Sequence, residues 1–125
     1  MPNPQMEKYQ RASQLWSLLV LAARTQQVLS YRVVERLTGI DRRGVGGCLG
    51  PILHYCNKQN LPALTSIVLK EDTGLPGEGF TAVPVTDIFK EQARVFIYDW
   101  FSKPAPNTED FRKADTERSR QMQEP

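Results

Sequence analysis

Three observations predict a mainly α-helical domain with one small β-hairpin, an α+β fold. Apolar residues recur at three-to-four spacing near the start of the chain, again between Val45 and Cys56, and again between Ile88 and Phe101. Between the last two stripes, Leu64-Thr65-Ser66-Ile67-Val68-Leu69 is rich in β-formers and leads through a loop of glycines and a proline into Phe80-Thr81-Ala82-Val83. The 125 residues, 40% of them hydrophobic, suffice for one core without a metal or disulfide staple.

The first helix is expected from about Pro4 to Thr25, with Asn3 as N-cap and Pro4 at the first helical position. Its Leu15, Trp16, Leu19, Ala22 and Ala23 share one face and form the floor of the core. From Ser30 to Gly47 the sequence reads as two short helices joined by a tight turn, with Asp41 as the N-cap of the second. Val45, Cys48, Leu49, Ile52, Leu53 and Cys56 then supply a buried stripe, which Pro51 interrupts if it breaks the helix. On one continuous helix Cys48 and Cys56 stand about 12 Å apart, too far for a disulfide. Both thiols are therefore read as buried and reduced, which points to the cytoplasm.

The next two strands form a hairpin wing around Asp72-Thr73-Gly74-Leu75-Pro76-Gly77-Glu78-Gly79. This wing is acidic, with Glu71, Asp72 and Glu78 against Lys70, and phosphate would be repelled by it. A last helix is expected from about Asp87 to Ser102 behind Thr86 as N-cap. Five aromatics fall between Phe89 and Phe101, more than one short helix buries against a small core, so Tyr98, Trp100 and Phe101 are candidates for a dimer or partner surface. Residues 1–103 thus read as a winged-helix-like domain. Residues 104–125 read as a charged tail, flexible or a frayed helix capped by Thr108, because only Phe111 and Met122 are large and apolar there.

The charge pattern points to polyanions. Between Arg24 and Lys58 six basic residues (Arg24, Arg32, Arg36, Arg42, Arg43, Lys58) face two acids (Glu35, Asp41), although the whole chain carries only +2. Arg42 and Arg43 fall in the first turn of a helix, where the macrodipole disfavours cations, so helix stability alone does not explain them. Gly44, Gly46 and Gly47 together cost that helix on the order of 2–3 kcal/mol against alanine. Such a backbone is left bare either for close packing of the preceding helix or for the approach of a DNA backbone. The candidate contact set is Tyr31, Arg32, Arg36, Arg42, Arg43, Gly44 and Lys58, on a helix-turn-helix whose second helix meets DNA.

Val28-Leu29-Ser30-Tyr31, Leu37-Thr38-Gly39 and Arg43-Gly44-Val45-Gly46-Gly47 resemble the DNA-binding half of the alkylguanine-DNA alkyltransferases and alkyltransferase-like proteins, over roughly residues 24–80. The resemblance implies a winged-helix-type domain entering the minor groove, with Tyr31 crowding the phosphate of the target nucleotide and Arg43 filling the space of a flipped base. It also implies a difference. The family's signature of proline, cysteine, histidine and arginine is matched here only by Leu61-Pro62-Ala63-Leu64, with Ala63 in the nucleophile's place, so alkyl transfer by that route is excluded. The spacing is longer too, by the stretch from Gly50 to Asn60.

Other chemistry is sparse. The single histidine, His54, is read as structural, and no phosphate loop, metal-ligand spacing or serine-histidine-carboxylate set can be assembled; no cofactor is expected. Neither a secretory leader nor a membrane span is read in the sequence. The leading expectation is a non-enzymatic nucleic-acid-binding module with DNA as partner. The alternatives are a protein-interaction or inhibitor module using the aromatic C-terminal helix and acidic wing, and a ligand binder with a pocket between wing and middle helix.

Overall fold

The computed structural model describes residues 4–123. Five helices and a minimal sheet follow in the order α1 (Pro4–Arg24), β1 (Leu29–Ser30), α2 (Tyr31–Thr38), α3 (Arg42–Lys58), a 3-10 turn (Leu64–Ile67), β2 (Val68–Leu69), a second 3-10 turn (Val85–Asp87), α4 (Ile88–Ile97) and α5 (Thr108–Gln123). The fold is mainly helical, α+β. The expected N-cap of α1, Asn3, lies outside the described residues.

Helix α1 buries Ala12, Leu15, Trp16, Leu19, Ala22 and Ala23, the face its periodicity marks. It ends in a Schellman closure: Gln27 N–H donates to the Ala22 carbonyl (2.9 Å), Gln26 N–H to that of Ala23 (3.1 Å), and Gln26 takes φ +57°. Helix α3 closes in the same way through Leu61 and Asn60, the latter at φ +56°. Pro51 does not break α3. It sits inside the helix, buried, so Cys48 and Cys56 share one continuous element and remain free, buried thiols.

Helices α1, α3 and α5 pack together as the core, and α2 lies against the start of α3. At the centre, Trp16 meets Tyr55 edge-on (5.6 Å, 87°), Trp100 edge-on (5.7 Å, 83°) and the tilted ring of Phe111 (6.1 Å). The segment read as a charged tail is therefore part of the core. Phe111 is fully buried and Ala114 nearly so, three residues apart on one face of a helix that is otherwise charged. One large and one small apolar side chain suffice because α1 and α3 already offer an aromatic groove.

The hairpin does not form. Leu64–Ile67 is a 3-10 turn, Phe80–Val83 contains no strand, and β2 pairs in parallel with β1, Leu29 opposite Val68 and Ser30 opposite Leu69. Residues 64–68 are buried throughout, and a short apolar run with no alternation does not distinguish a strand from a buried turn. Parallel pairing needs a crossover, which α2 and α3 provide. The expected wing is instead a loop, tied by Lys70 N–H to the Leu75 carbonyl (2.8 Å) and Gly74 N–H to that of Lys70 (2.9 Å), with Gly74 at φ +68°.

The last expected helix is shorter than its pattern suggests. It runs over Ile88–Ile97 behind Asp87 rather than Thr86, and it turns Phe89 outward. Trp100, a candidate for a partner surface, is core: its Nε1–H donates to the Val95 carbonyl at 2.8 Å. Tyr98 packs partly buried against it, rings 4.6 Å apart, and only Phe101 of the three is exposed. Among the described residues no helix is long and apolar enough to cross a membrane.

Candidate nucleic-acid interface

Helices α2 and α3 and the turn between them are held by local hydrogen bonds at each joint. Ser30 Oγ accepts from Val33 N–H (3.1 Å) to start α2, and Gly39 stops it at φ +76°, donating to the Glu35 carbonyl. Asp41 Oδ1 accepts from Arg43 N–H (2.8 Å) and Glu35 Oε2 from Arg42 N–H (2.6 Å), which satisfies two of the free amides that open α3. A carboxylate from α2 thus caps α3, and the angle between the helices is fixed.

The first two turns of α3 then divide sharply. Arg42, Arg43, Gly44, Gly46 and Gly47 are exposed, whereas Val45, Cys48 and Leu49 are buried. Arg43 Nε lies 3.2 Å from Asp41 Oδ1, and the hydrogen bonds from Arg43 hold the Asp41 carboxyl below its ordinary range. Both partners are solvated, so the pair restrains Arg43 weakly. The Arg42 side chain has no ion-pair partner among the described residues.

Close helix packing does not account for the glycines. A Cβ built on Gly46 or Gly47 meets nothing within 4 Å, and one on Gly44 meets only Ile40 Cγ2 at 3.8 Å, an ordinary contact. The space over this backbone is open.

Arg42, Arg43 and Gly46 form one wall of a cleft of about 660 Å³; Tyr31 and Arg32 of α2 continue it, and Lys70, Glu71, Asp72, Gly77, Glu78 and Gly79 of the loop face them. Glu71 accepts a hydrogen bond from Arg32 N–H, and this bond, aided by the Arg42 and Arg32 charges, holds its carboxyl below the ordinary range. The acidic loop therefore lies beside the arginines and offsets part of their field. Tyr31 is half-buried with its hydroxyl against the Gly77 backbone, where an added Cβ would stand 2.3 Å from the oxygen; burial raises its pKa. A side chain at position 77 would displace the tyrosine.

Three sequence-predicted contact residues lie outside this cleft: Gly44, exposed on the first turn of α3 but not on the cleft wall, Arg36 and Lys58. Arg36 is exposed farther along α2. Lys58 is at the opposite end of α3, roughly 24 Å from Arg42 along the helix axis, and pairs with Glu117 of α5 at 3.0 Å. Its charge belongs to the packing of α5. Lys70, Gly46, Gly77 and Gly79 are the contributors that the charge count between positions 24 and 58 misses.

A second polar cluster joins α1, α3 and α5. His54 Nδ1 lies 2.6 Å from Asp115 Oδ1, while Tyr9 Oη donates to Asp115 Oδ2 at 3.0 Å and Lys8 Nζ lies 3.3 Å from the same oxygen. Burial opposes the charge on Asp115, but these partners outweigh it and its carboxyl is lowered. Nothing in the sequence around His54 announces the pairing, because Asp115 lies 61 residues away. Both cysteines are chemically quiet: burial pushes Cys56 up to about 12 and raises Cys48. Among the described residues no three His, Cys, Asp or Glu side chains gather as metal ligands. No protein-family model, curated protein or solved structure matches the chain.

Proposed function

We propose that the chain is a non-enzymatic nucleic-acid-binding module that presents the first two turns of α3 to a phosphate backbone. The observation that carries this reading is the open space over Gly46 and Gly47 beside Arg42 and Arg43. Glycine there weakens the helix and no protein atom takes up the room, while the adjoining exposed cations suit an anion drawn close. The resemblance to the DNA-binding half of the alkyltransferases supports the same face. Ala63, in the nucleophile's place, is buried and inert, so binding without alkyl transfer is the activity proposed. In this reading α2 and α3 act as the helix-turn-helix of a winged-helix-like module, and the acidic loop stands where a wing would be.

Fluorescence anisotropy with duplex and single-stranded oligonucleotides across a salt series tests it. Binding should weaken steeply with salt; Arg42→Glu with Arg43→Glu should abolish retention, and the milder Arg42→Ala with Arg43→Ala should flatten the log–log slope by about 2. Neutralising Glu71, Asp72 and Glu78 together should strengthen binding about tenfold at low salt. Absence of binding by the wild-type chain at low salt rejects the proposal.

One observation favours the second reading, a protein partner or homodimer. Phe89, Ile97 and Phe101 are 81%, 82% and 69% exposed on and just after α4, a surface distinct from the cationic cleft. Sedimentation of wild type and Phe89→Ser/Ile97→Ser separates the readings: a dimer that these changes dissociate, with no oligonucleotide binding, supports the second.

A further inference from the structure

The cationic cleft has a floor that a polyanion backbone does not use. Tyr31, Gly46, Gly77 and Gly79 line both the cleft and a smaller cavity of about 40 Å³ beneath it, so the two adjoin. That volume holds about three water-sized groups. The inner walls are Leu49 and Leu53 of α3, Val68 of β2 and Phe80, and two hydroxyl side chains join them: Thr65, and Tyr31, whose hydroxyl stands against Gly77.

Thr65 is 4% exposed, and its Oγ1 has no hydrogen-bond partner. A buried hydroxyl left without a partner costs stability, and the usual remedies, a backbone carbonyl one turn back or a polar neighbour, are not used here. The neighbouring Ser66 Oγ is likewise unpartnered but does not line the cavity. Of the two unpartnered hydroxyls, only that of Thr65 belongs to a residue lining the cavity.

Gly46 and Gly79 leave their side of the passage between cavity and cleft open, and the Tyr31 hydroxyl stands at Gly77 on the other. A Cβ on Gly46 or Gly79 would enter open space, and one on Gly77 would strike the Tyr31 hydroxyl. At the mouth stand Arg32, Arg42, Arg43 and Lys70 against Glu71, Asp72 and Glu78; the Glu71 carboxylate is already engaged by the Arg32 amide. A largely apolar throat with one unpartnered hydroxyl, beside a rim on which four cations face three carboxylates, selects an amphipathic anion.

We propose that this cavity and cleft together bind a small organic anion, a carboxylate or phosphate ester, whose other end is a short aliphatic group carrying one hydroxyl or carbonyl. The charged head lies among the arginines. The tail passes between Gly46 and the Tyr31 hydroxyl, packs on Leu49, Leu53 and Val68, and completes the Thr65 hydrogen bond. The proposal is independent of nucleic-acid binding, since the throat recognises a feature that a phosphate backbone lacks.

The test is methyl-resolved NMR of the full chain titrated with 3-hydroxybutyrate and, separately, 3-hydroxypropyl phosphate, which distinguishes the two kinds of head group. At least one should shift the methyl signals of Thr65, Leu49, Leu53 and Val68, whereas inorganic phosphate and neutral 1,3-butanediol should leave them in place. Thr65→Val should weaken the responding probe about fivefold, the worth of one hydrogen bond. Gly46→Leu, which places a side chain in open space on a helix, should abolish binding while thermal unfolding shows the fold intact. The proposal is overturned if neither organic anion moves those methyls, if the diol binds as well as the anions, or if Gly46→Leu binds the responding probe unchanged.

Discussion

Phe111→Ala measures how far the last helix belongs to the fold. The ring is fully buried, 6.1 Å from that of Trp16 and 5.7 Å from that of Tyr55, centroid to centroid. Truncating a buried phenylalanine costs about 3–5 kcal/mol, the lost transfer energy plus the cavity left beside the rings of Trp16 and Tyr55. Domains of this size have about 5–15 kcal/mol in total. With about 2.1 cal/mol/K of unfolding entropy per residue, the melting temperature should fall by roughly 10–20 °C. Chemical unfolding followed by tryptophan fluorescence is the assay, because Trp16 reports directly on the loss of the Phe111 ring. Phe101→Ala is the control: also aromatic and beyond position 100, but exposed, it should change stability by no more than about 0.5 kcal/mol. A loss below about 1 kcal/mol for Phe111→Ala, or equal losses for the two variants, would refute α5 as a structural member of the core.

The Asp115 cluster gives a pH dependence of defined sign. Its carboxyl titrates below the ordinary 3.8 in the folded chain, so its contribution is complete above that value and is lost as the pH falls through the folded value. Urea midpoints should therefore drop in the acid range for wild type and drop less for Asp115→Asn, which should also lower stability at neutral pH by about 1–3 kcal/mol. Gly46→Ala should raise stability by about 0.5–1 kcal/mol, because alanine favours the helix and its methyl meets no atom within 4 Å. A destabilised Gly46→Ala variant in thermal melts would mean that the open space over α3 is absent in solution.

What the sequence discloses is unequal along the chain, for physical reasons. The buried face of α1, the start of α3 at Asp41 and the stop at Gly39 are written in local chemistry: periodicity, an N-cap oxygen, a residue that accepts positive φ. These depend on neighbours within one or two turns. By contrast, the parallel pairing of Leu29 with Val68 joins residues 39 apart, and each strand contributes only two residues, too few for alternation to show. Composition also misleads for α5. A segment with two large apolar residues does not fold alone, yet Phe111 needs only the groove that Trp16 and Tyr55 already form.

The same division runs through the candidate site. Arg42 and Arg43 are legible because they sit where a helix N-terminus disfavours them, a local contradiction that asks for an external reason. Lys58 carries the same charge with no such contradiction. Near a helix C-terminus a cation is favourable, and Glu117 of α5 supplies a partner in the folded chain. Charge counting treats the three alike; the helix dipole separates them, and with it the residues that stabilise this fold from those that weaken it. The glycines at 46 and 47 stand in the second group. They cost the helix stability and no neighbour claims their space, and it is this unexplained cost on which the proposed anion-binding face rests.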